Sequence, residues 1–462
     1  MHGDDCMTTK LKKAIGKRTK KVLHEVREDA AGIDVGAYEV FVAVPEDRDE
    51  ESIRSFSTFT EDLQAMARWL IDCRIGTVAM ESTGVYWIPV FQILESYGIE
   101  VCLVNARHVK NVPGRKTDVQ DCQWLQYLHS VGLLSASFRP SADVIAVRTL
   151  LRHRENLVKS AAAHIQHMQK ALTQMNLYLH NVISNVTGRT GMAIIDAILS
   201  GERDPKVLAK LRDHRIKADE ETIAKSLVGD YKEEHLFTLK QAVGLYRHYG
   251  ELIEECDKEI EMRLKAFGSK RDDEPKAKPA PKKKTSGNEL HFDVQSHLYK
   301  VYGVDLTAIP GISGLTAHTI FTEVGLDIHK FKTVHHFTSW LGLSPNNKIS
   351  GGKVLSSKTS FSSNRVAKAL RLAANALYNN KSYLGDYFRK MRSRLGAPKA
   401  ITAVAHKLAR IVYAMLKNQT PYDESIFSAE EAKYQEKLLK KLQKQAKTFG
   451  LALVDSPLAE SA

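Results

Sequence analysis

At 462 residues and roughly 150 residues per domain, the chain makes two or three folded units whose cores need no disulfide staples, which excludes a small cystine-rich peptide. Lysine and arginine number 67 against 54 acidic residues, a formal charge of +13, and that favours a polyanionic partner such as nucleic acid. The five cysteines (Cys6, Cys73, Cys102, Cys122, Cys256) form no CxxC pair and no stretch of about 18 apolar residues occurs, so a reduced, soluble, cytoplasmic chain with no zinc cage and no membrane partner is expected.

Residues 1–28 are a polar tail carrying Lys10, Lys12, Lys13, Lys17, Arg18, Lys20 and Lys21, too poor in apolar side chains to offset its ordering entropy. Ile33–Gly36 and Val40–Val44 then read as two strands joined by a tight Gly-Ala-Tyr turn. Leu63–Ile71 has helical spacing, Thr77–Met80 is a short buried strand, and Val85–Tyr97 is a helix ending at Gly98. Val101–Val104 is another strand, followed by a basic loop and a helix over 117–131. Strands alternating with helices after an opening hairpin predict a mixed α/β sheet over 29–140.

Beyond Pro140 the period changes. Val144, Leu151, Val158, Ile165, Leu172 and Leu179 recur every seven residues, with Val147, Ala161, Met168 and Met175 at the companion position, the pattern of a coiled coil. Leu239, Tyr246, Ile253, Ile260 and Phe267 mark a return helix. Region 141–267 therefore reads either as an intermolecular coil or as a long helical hairpin packed on its own chain. Residues 181–235 hold short helices broken by Gly188, Gly191, Gly201 and Pro205, with no assignable chemistry. A lysine- and proline-rich linker over 268–289 precedes a last domain at 290–427, and a lysine-rich helical tail fills 428–462. In the last domain Leu306–Gly325 spells an apolar helix, a Pro-Gly-Ile-Ser-Gly turn and a second helix. That suits a helix-hairpin-helix whose turn amides hold a DNA phosphate, or an ordinary helical hairpin.

Four acids stand where these elements would bring them together. Asp34 lies in a strand between Ile33 and Val35, a costly place for a carboxylate without a cationic partner. Glu81 follows the Thr77–Met80 strand, and Asp118 and Asp121, three apart at a helix start, share one face. Taken singly, Asp118 is also a good N-cap and Asp121 suits a helix dipole. Taken together, four oxygen ligands without Cys or His select a hard metal, Mg²⁺ or Mn²⁺, of the kind that clamps a phosphodiester. The preceding loop, with Arg107, Lys110, Arg115 and Lys116, can neutralise backbone phosphates beside the acids.

In the last domain Ser350 precedes Gly351 and Gly352, which permit close approach of a backbone or phosphate, and Lys348 and Lys353 bracket it. A serine hydroxyl needs a base or metal to become a nucleophile, and nothing adjacent in sequence serves. The stretch also reads as a flexible loop whose amides bind phosphate, and Ser356, Ser357, Ser360, Ser362 and Ser363 compete with Ser350. Arg365, Lys368 and Arg371 are spaced by three on the next helix, a surface that could follow a phosphate backbone.

Read together, Gly-Ile-Asp34-Val, Glu81-Ser-Thr-Gly, Lys-Thr-Asp118-Val-Gln-Asp121, Pro-Gly-Ile-Ser-Gly and Ser350-Gly-Gly resemble the motifs of the DEDD transposases of insertion sequences. These are relatives of the pilin-gene inverting recombinases, described as bridge-RNA-guided recombinases. The resemblance spans residues 30–425. It implies a RuvC-like (ribonuclease H-like) N-terminal α/β domain, a helical coiled-coil middle region and a mainly α C-terminal transposase domain with a helix-hairpin-helix. It also implies metal binding by Asp34, Glu81, Asp118 and Asp121, and a covalent phosphoserine link made by Ser350. The implied partners are double-stranded DNA, a noncoding bridge RNA and further copies of the chain, as a dimer or tetramer through the coiled coil, with acids and serine supplied by different protomers. The rival readings are a metal-dependent junction resolvase or nuclease that uses water, and a non-catalytic nucleic-acid scaffold.

Overall fold

The computed structural model describes residues 25–82, 84–105, 118–270, 288–427, 436, 439–440 and 442–452, with the backbone alone for 118–120. The chain divides into two compact units, 1–139 and 140–462. No helix among the described residues is long and apolar enough to cross a membrane.

The first unit is a five-stranded sheet with helices on both faces. Its elements are β1 (Ala30–Val35), β2 (Glu39–Ala43), β3 (Ile53–Ser57), α1 (Thr60–Asp72), β4 (Thr77–Glu81), α2 (Trp87–Ser96), β5 (Glu100–Val104) and α3 (Asp118–Ser130). Strand order is β3-β2-β1-β4-β5. β1, β2 and β3 pair antiparallel, and β4 pairs parallel with both β1 and β5, the mixed sheet expected of the order hairpin first, helix crossovers after. Side-chain alternation splits the strands between two cores. Ala31, Ile33, Val35, Val78 and Met80 face α1 and α2, whereas Ala79, Cys102 and Val104 pack with Leu125 of α3. The edge strand β3 has no counterpart in the sequence reading. Its IRSFS pattern is only half-buried, because an edge strand has a neighbour on one side alone and carries a weak apolar signature.

The second unit is mainly helical. Two 33-residue helices, α4 (Ala142–Gln174) and α9 (Glu233–Lys265), pack on each other. Between them lie four short helices, α5 (Leu179–Val182), α6 (Arg189–Leu199), α7 (Pro205–Ala209) and α8 (Glu220–Ser226), closed over a core that includes Ile194, Ile198, Leu208 and Ile223. The heptad positions Val144, Leu151 and Leu172 are buried against the chain's own return helix, so the intrachain hairpin accounts for the seven-residue repeat. The repeat also ends earlier than its periodicity suggested: α4 stops at Gln174, and Leu179 opens a separate short helix. At the companion seam position between Val147 and Ala161 stands Arg154, buried and paired with buried Asp257 of α9, Nε donating to Oδ1 at 2.5 Å and NH2 to Oδ2 at 3.1 Å. Arg154 also donates to the carbonyls of Asn288 (3.0 Å) and Glu289 (2.7 Å), which pins the start of the last domain onto the hairpin.

That domain contains α10 (Val294–Tyr302), α11 (Gly314–Val324), α12 (Val334–Trp340), the two-stranded β6 (Lys348–Ser350) and β7 (Lys353–Ser356), and then α13 (Arg365–Ala376), α14 (Tyr383–Leu395) and α15 (Ala397–Asn418). Before the Pro-Gly turn there is one 3-10 turn, Leu306–Ala308, in place of the expected apolar helix. Asp305 caps that turn by accepting from Thr307 N, and Pro310 follows two residues after it, so there is no room for a full helical repeat. The linker lies outside the described residues over 271–287, as does much of the tail; 442–448 is helical.

Candidate functional site

The register of β1 and β4 pairs Ile33 with Met80, so Asp34 and Glu81 are the next residues on two adjacent parallel strands. Ile33 and Met80 face the α1/α2 core; by alternation both acids face the opposite side, where α3 lies. Both are partly exposed, as expected where strands run out of the core into solvent. Ser82 fixes the exit of β4, its backbone N–H and its hydroxyl both donating to the Val104 carbonyl, at 3.0 and 3.1 Å.

Gly32 brings α3 to that face. A Cβ on Gly32 would stand 2.2 Å from the Cys122 carbonyl oxygen and 2.3 Å from the Gln126 amide nitrogen, an approach only glycine allows. Gln126 Nε2 donates to the Ala30 carbonyl at 3.3 Å. At the far end of α3, buried His129 accepts from Arg27 at Nδ1 (3.2 Å) and meets Thr77 Oγ1 at Nε2 (2.9 Å). An imidazole accepting at Nδ1 carries its proton on Nε2, so His129 donates to Thr77 and stays neutral. Burial, then the Arg27 charge, lowers its pKa to about 4.

With α3 held in this way, Asp118 and Asp121 fall in its first turn, above the ends of β1 and β4. Asp121 is partly exposed, and the side chain of Asp118 lies outside the described residues. Buried Cys122 reports on the field around it: its thiol is pushed up to about 12, by burial first, with the Asp34 and Asp121 carboxylates adding to the rise. Strand register and the start of α3 thus place Asp34, Glu81 and Asp121 toward one side of the sheet end. Among the described residues no three His, Cys, Asp or Glu side chains form a metal-holding group by themselves. The loop residues Arg107, Lys110, Arg115 and Lys116 lie outside the described residues.

Ser350, in the second unit, ends β6 opposite Lys353 of β7. Gly351 and Gly352 join the strands with φ of +54° and +75°, the two left-handed positions of a type I′ hairpin turn, so the Ser-Gly-Gly stretch is a turn of defined shape. Ser350, Lys348 and Lys353 are all exposed. Of the competing serines, Ser356 and Ser362 accept from the backbone N–H groups of Lys358 (3.3 Å) and Asn364 (3.2 Å), and Ser360 meets Asn346 at 3.5 Å. No hydrogen bond engages the Ser350 hydroxyl among the described residues. On α13, Lys368 is exposed and Arg371 half-buried. Arg365 is ion-paired with Glu155 and reaches Glu323 at 4.0 Å, so its charge serves α4 and α11 as well as the surface. The polar seam of Arg154 and Asp257 went unread in the sequence; its only trace there is an arginine at a heptad seam position.

Residues 31–177 match a transposase family model of the DEDD, IS110 type, and residues 305–389 match the transposase IS116/IS110/IS902 family. The chain is 25% identical over 357 residues to the transposase for insertion sequence element IS1111A of Coxiella burnetii, covering 76% of this chain and 80% of that protein. It is 31% identical over 120 residues to the insertion element IS110 uncharacterized 43.6 kDa protein of Streptomyces coelicolor, covering 26% of this chain and 29% of that one.

Proposed function

The chain belongs to the IS116/IS110/IS902 family of transposases, and on that premise we propose that it cuts and rejoins DNA at the ends of an insertion sequence by metal-dependent phosphoryl transfer, with Ser350 as nucleophile and a noncoding bridge RNA as guide. The observation that carries this reading is the shared face of Asp34 and Glu81 on adjacent parallel strands, beneath the helix that opens with Asp118 and Asp121. Those four acids would hold Mg²⁺ or Mn²⁺. Bound there, the ions neutralise phosphate charge and ease both departure and attack at phosphorus.

The residues of the chain do the rest. Ser350 Oγ bonds to phosphorus as the bond to the leaving deoxyribose oxygen breaks. A carboxylate takes the serine proton, and the leaving oxygen takes one from water. The phosphodiester energy is kept in the phosphoserine link, so strand exchange needs no external energy source. An exposed hairpin suits this role, because the nucleophile must reach a phosphate presented with acids that we assign to another protomer.

A suicide DNA substrate provides the test. Wild-type protein should retain covalently attached DNA, and Ser350→Ala should retain none. Free DNA ends from both would instead indicate hydrolysis by water. Asp34→Asn should abolish recombination while DNA binding survives; unchanged recombination would leave only a scaffold role. A discrete noncoding RNA should copurify with the full chain.

A further inference from the structure

We propose that Tyr38, Phe59 and Tyr86 form a stacking rim that holds unpaired DNA bases beside the acid-bearing end of the sheet, an inference that rests on the DNA-processing reading above. β1, β3 and β4 all run in the same direction, so their C-terminal ends lie along one edge. Tyr38 follows β1, Phe59 follows β3 and Tyr86 follows β4. They are 89%, 76% and 48% exposed, and with Val85 and with Ile88 in the first turn of α2 they make an apolar border where the chain leaves this edge. These three are the exposed aromatic residues of the described first unit. Away from this edge the unit exposes only the aliphatic Val26, Ile71 and Leu133 among its large apolar residues.

Folding does not explain these rings. Phe59 and Tyr86 occupy the positions just before α1 and α2, where Ser, Thr, Asp or Asn would cap the helix, and neither supplies a side-chain cap. An exposed aromatic at a capping position gains neither burial nor a hydrogen bond. The backbones of Tyr38 and Phe59 are nonetheless held, Thr58 N–H donating to the Tyr38 carbonyl at 3.2 Å and Phe59 N–H to Ser57 Oγ at 3.2 Å, and around Tyr86 the Ile88 N–H closes a turn onto the Val85 carbonyl at 3.1 Å. The rings are thus presented from ordered loops.

The neighbouring carboxylates decide the occupant. A surface next to Asp34 and Glu81 repels phosphate wherever no cation intervenes, so affinity there has to come from base faces, which stack on aromatic rings with little regard to sequence. Duplex DNA hides those faces; strands opened around a cleavage point expose them.

The test uses the full chain without divalent metal, and two probes: single-stranded oligothymidylate carrying one 2-aminopurine, and a blunt duplex of the same length. Tyr38→Ala, Phe59→Ala and Tyr86→Ala should each weaken single-strand binding by about 5- to 150-fold, reduce 2-aminopurine quenching, and leave the salt slope and duplex binding unchanged. Phe59→Leu and Tyr86→Leu keep apolar bulk without a ring; melting temperatures confirm that they fold, and they should show the same loss. Wild-type affinity in the leucine variants overturns the proposal, as does equal weakening on the duplex. A shift in sedimentation with DNA binding unchanged assigns the rim to contacts between copies and also overturns it. None of these readouts needs cleavage, so failure of the phosphoserine mechanism would register separately, in the suicide-substrate assay.

Discussion

Gly32 and Cys122 stand in backbone contact: a methyl group on the glycine would lie 2.2 Å from the cysteine carbonyl oxygen. That contact sets the height of α3 above the sheet and so the position of Asp121 relative to Asp34. The obstructing atoms are backbone, so no rotamer change can relieve a clash. Gly32→Ala should destabilise the first unit by about 1–3 kcal/mol or more, seen as a lowered denaturant midpoint, and should abolish recombination even at temperatures where the protein remains folded.

The hairpin that carries Ser350 makes the opposite prediction. Gly351 and Gly352 have positive φ and no atom within 4 Å of an added Cβ, so backbone conformation, and not space, requires glycine there. Gly351→Val should cut covalent adduct formation at least about tenfold by spoiling the type I′ turn, with melting temperature unchanged because the hairpin is exposed. Gly351→Asn, which tolerates the left-handed region, should retain most activity.

Arg154 and Asp257 form a buried pair whose remaining polar atoms are also engaged, His291 N–H donating to Asp257 Oδ2 at 3.2 Å. Removing one partner strands the other. Arg154→Met or Asp257→Leu alone should cost about 3–5 kcal/mol, and the double variant clearly less than the sum, measured by a double-mutant cycle in urea.

Two buried histidines make stability depend on acid. His129 titrates in the folded protein at about 4 and His318 at about 3, each lowered first by burial, against about 6.5 for an unfolded chain. Between about 6.5 and the folded values the unfolded state binds more protons, so stability falls as pH falls through that window. His129 alone can account for a loss on the order of 3 kcal/mol. Neither ring nitrogen of His318 has a hydrogen-bond partner among the described residues, and its ring lies near-parallel to Phe321 at 6.2 Å. His318→Phe should therefore raise stability at neutral pH by about 1–3 kcal/mol and flatten the acid limb, as followed by denaturant midpoints across pH.

Much of the architecture was legible along the chain. The alternation around Asp34, the buried run before Glu81, the three-residue spacing of Asp118 and Asp121 and the heptads from Val144 are local patterns, carried by residues that share a strand or a few helical turns. They determined where most of the sheet and the two long helices form and which acids were candidates, whereas Ser350 was set apart from its neighbouring serines by the family resemblance alone. Tertiary structure decided the rest. It showed that α4 buries its seam on α9, that Arg154 meets Asp257 across 103 residues of sequence, that polar β3 completes the sheet, and that three exposed rings follow strands that run in the same direction. Such pairings depend on how distant segments meet in space, and side-chain periodicity within one segment does not encode its partner.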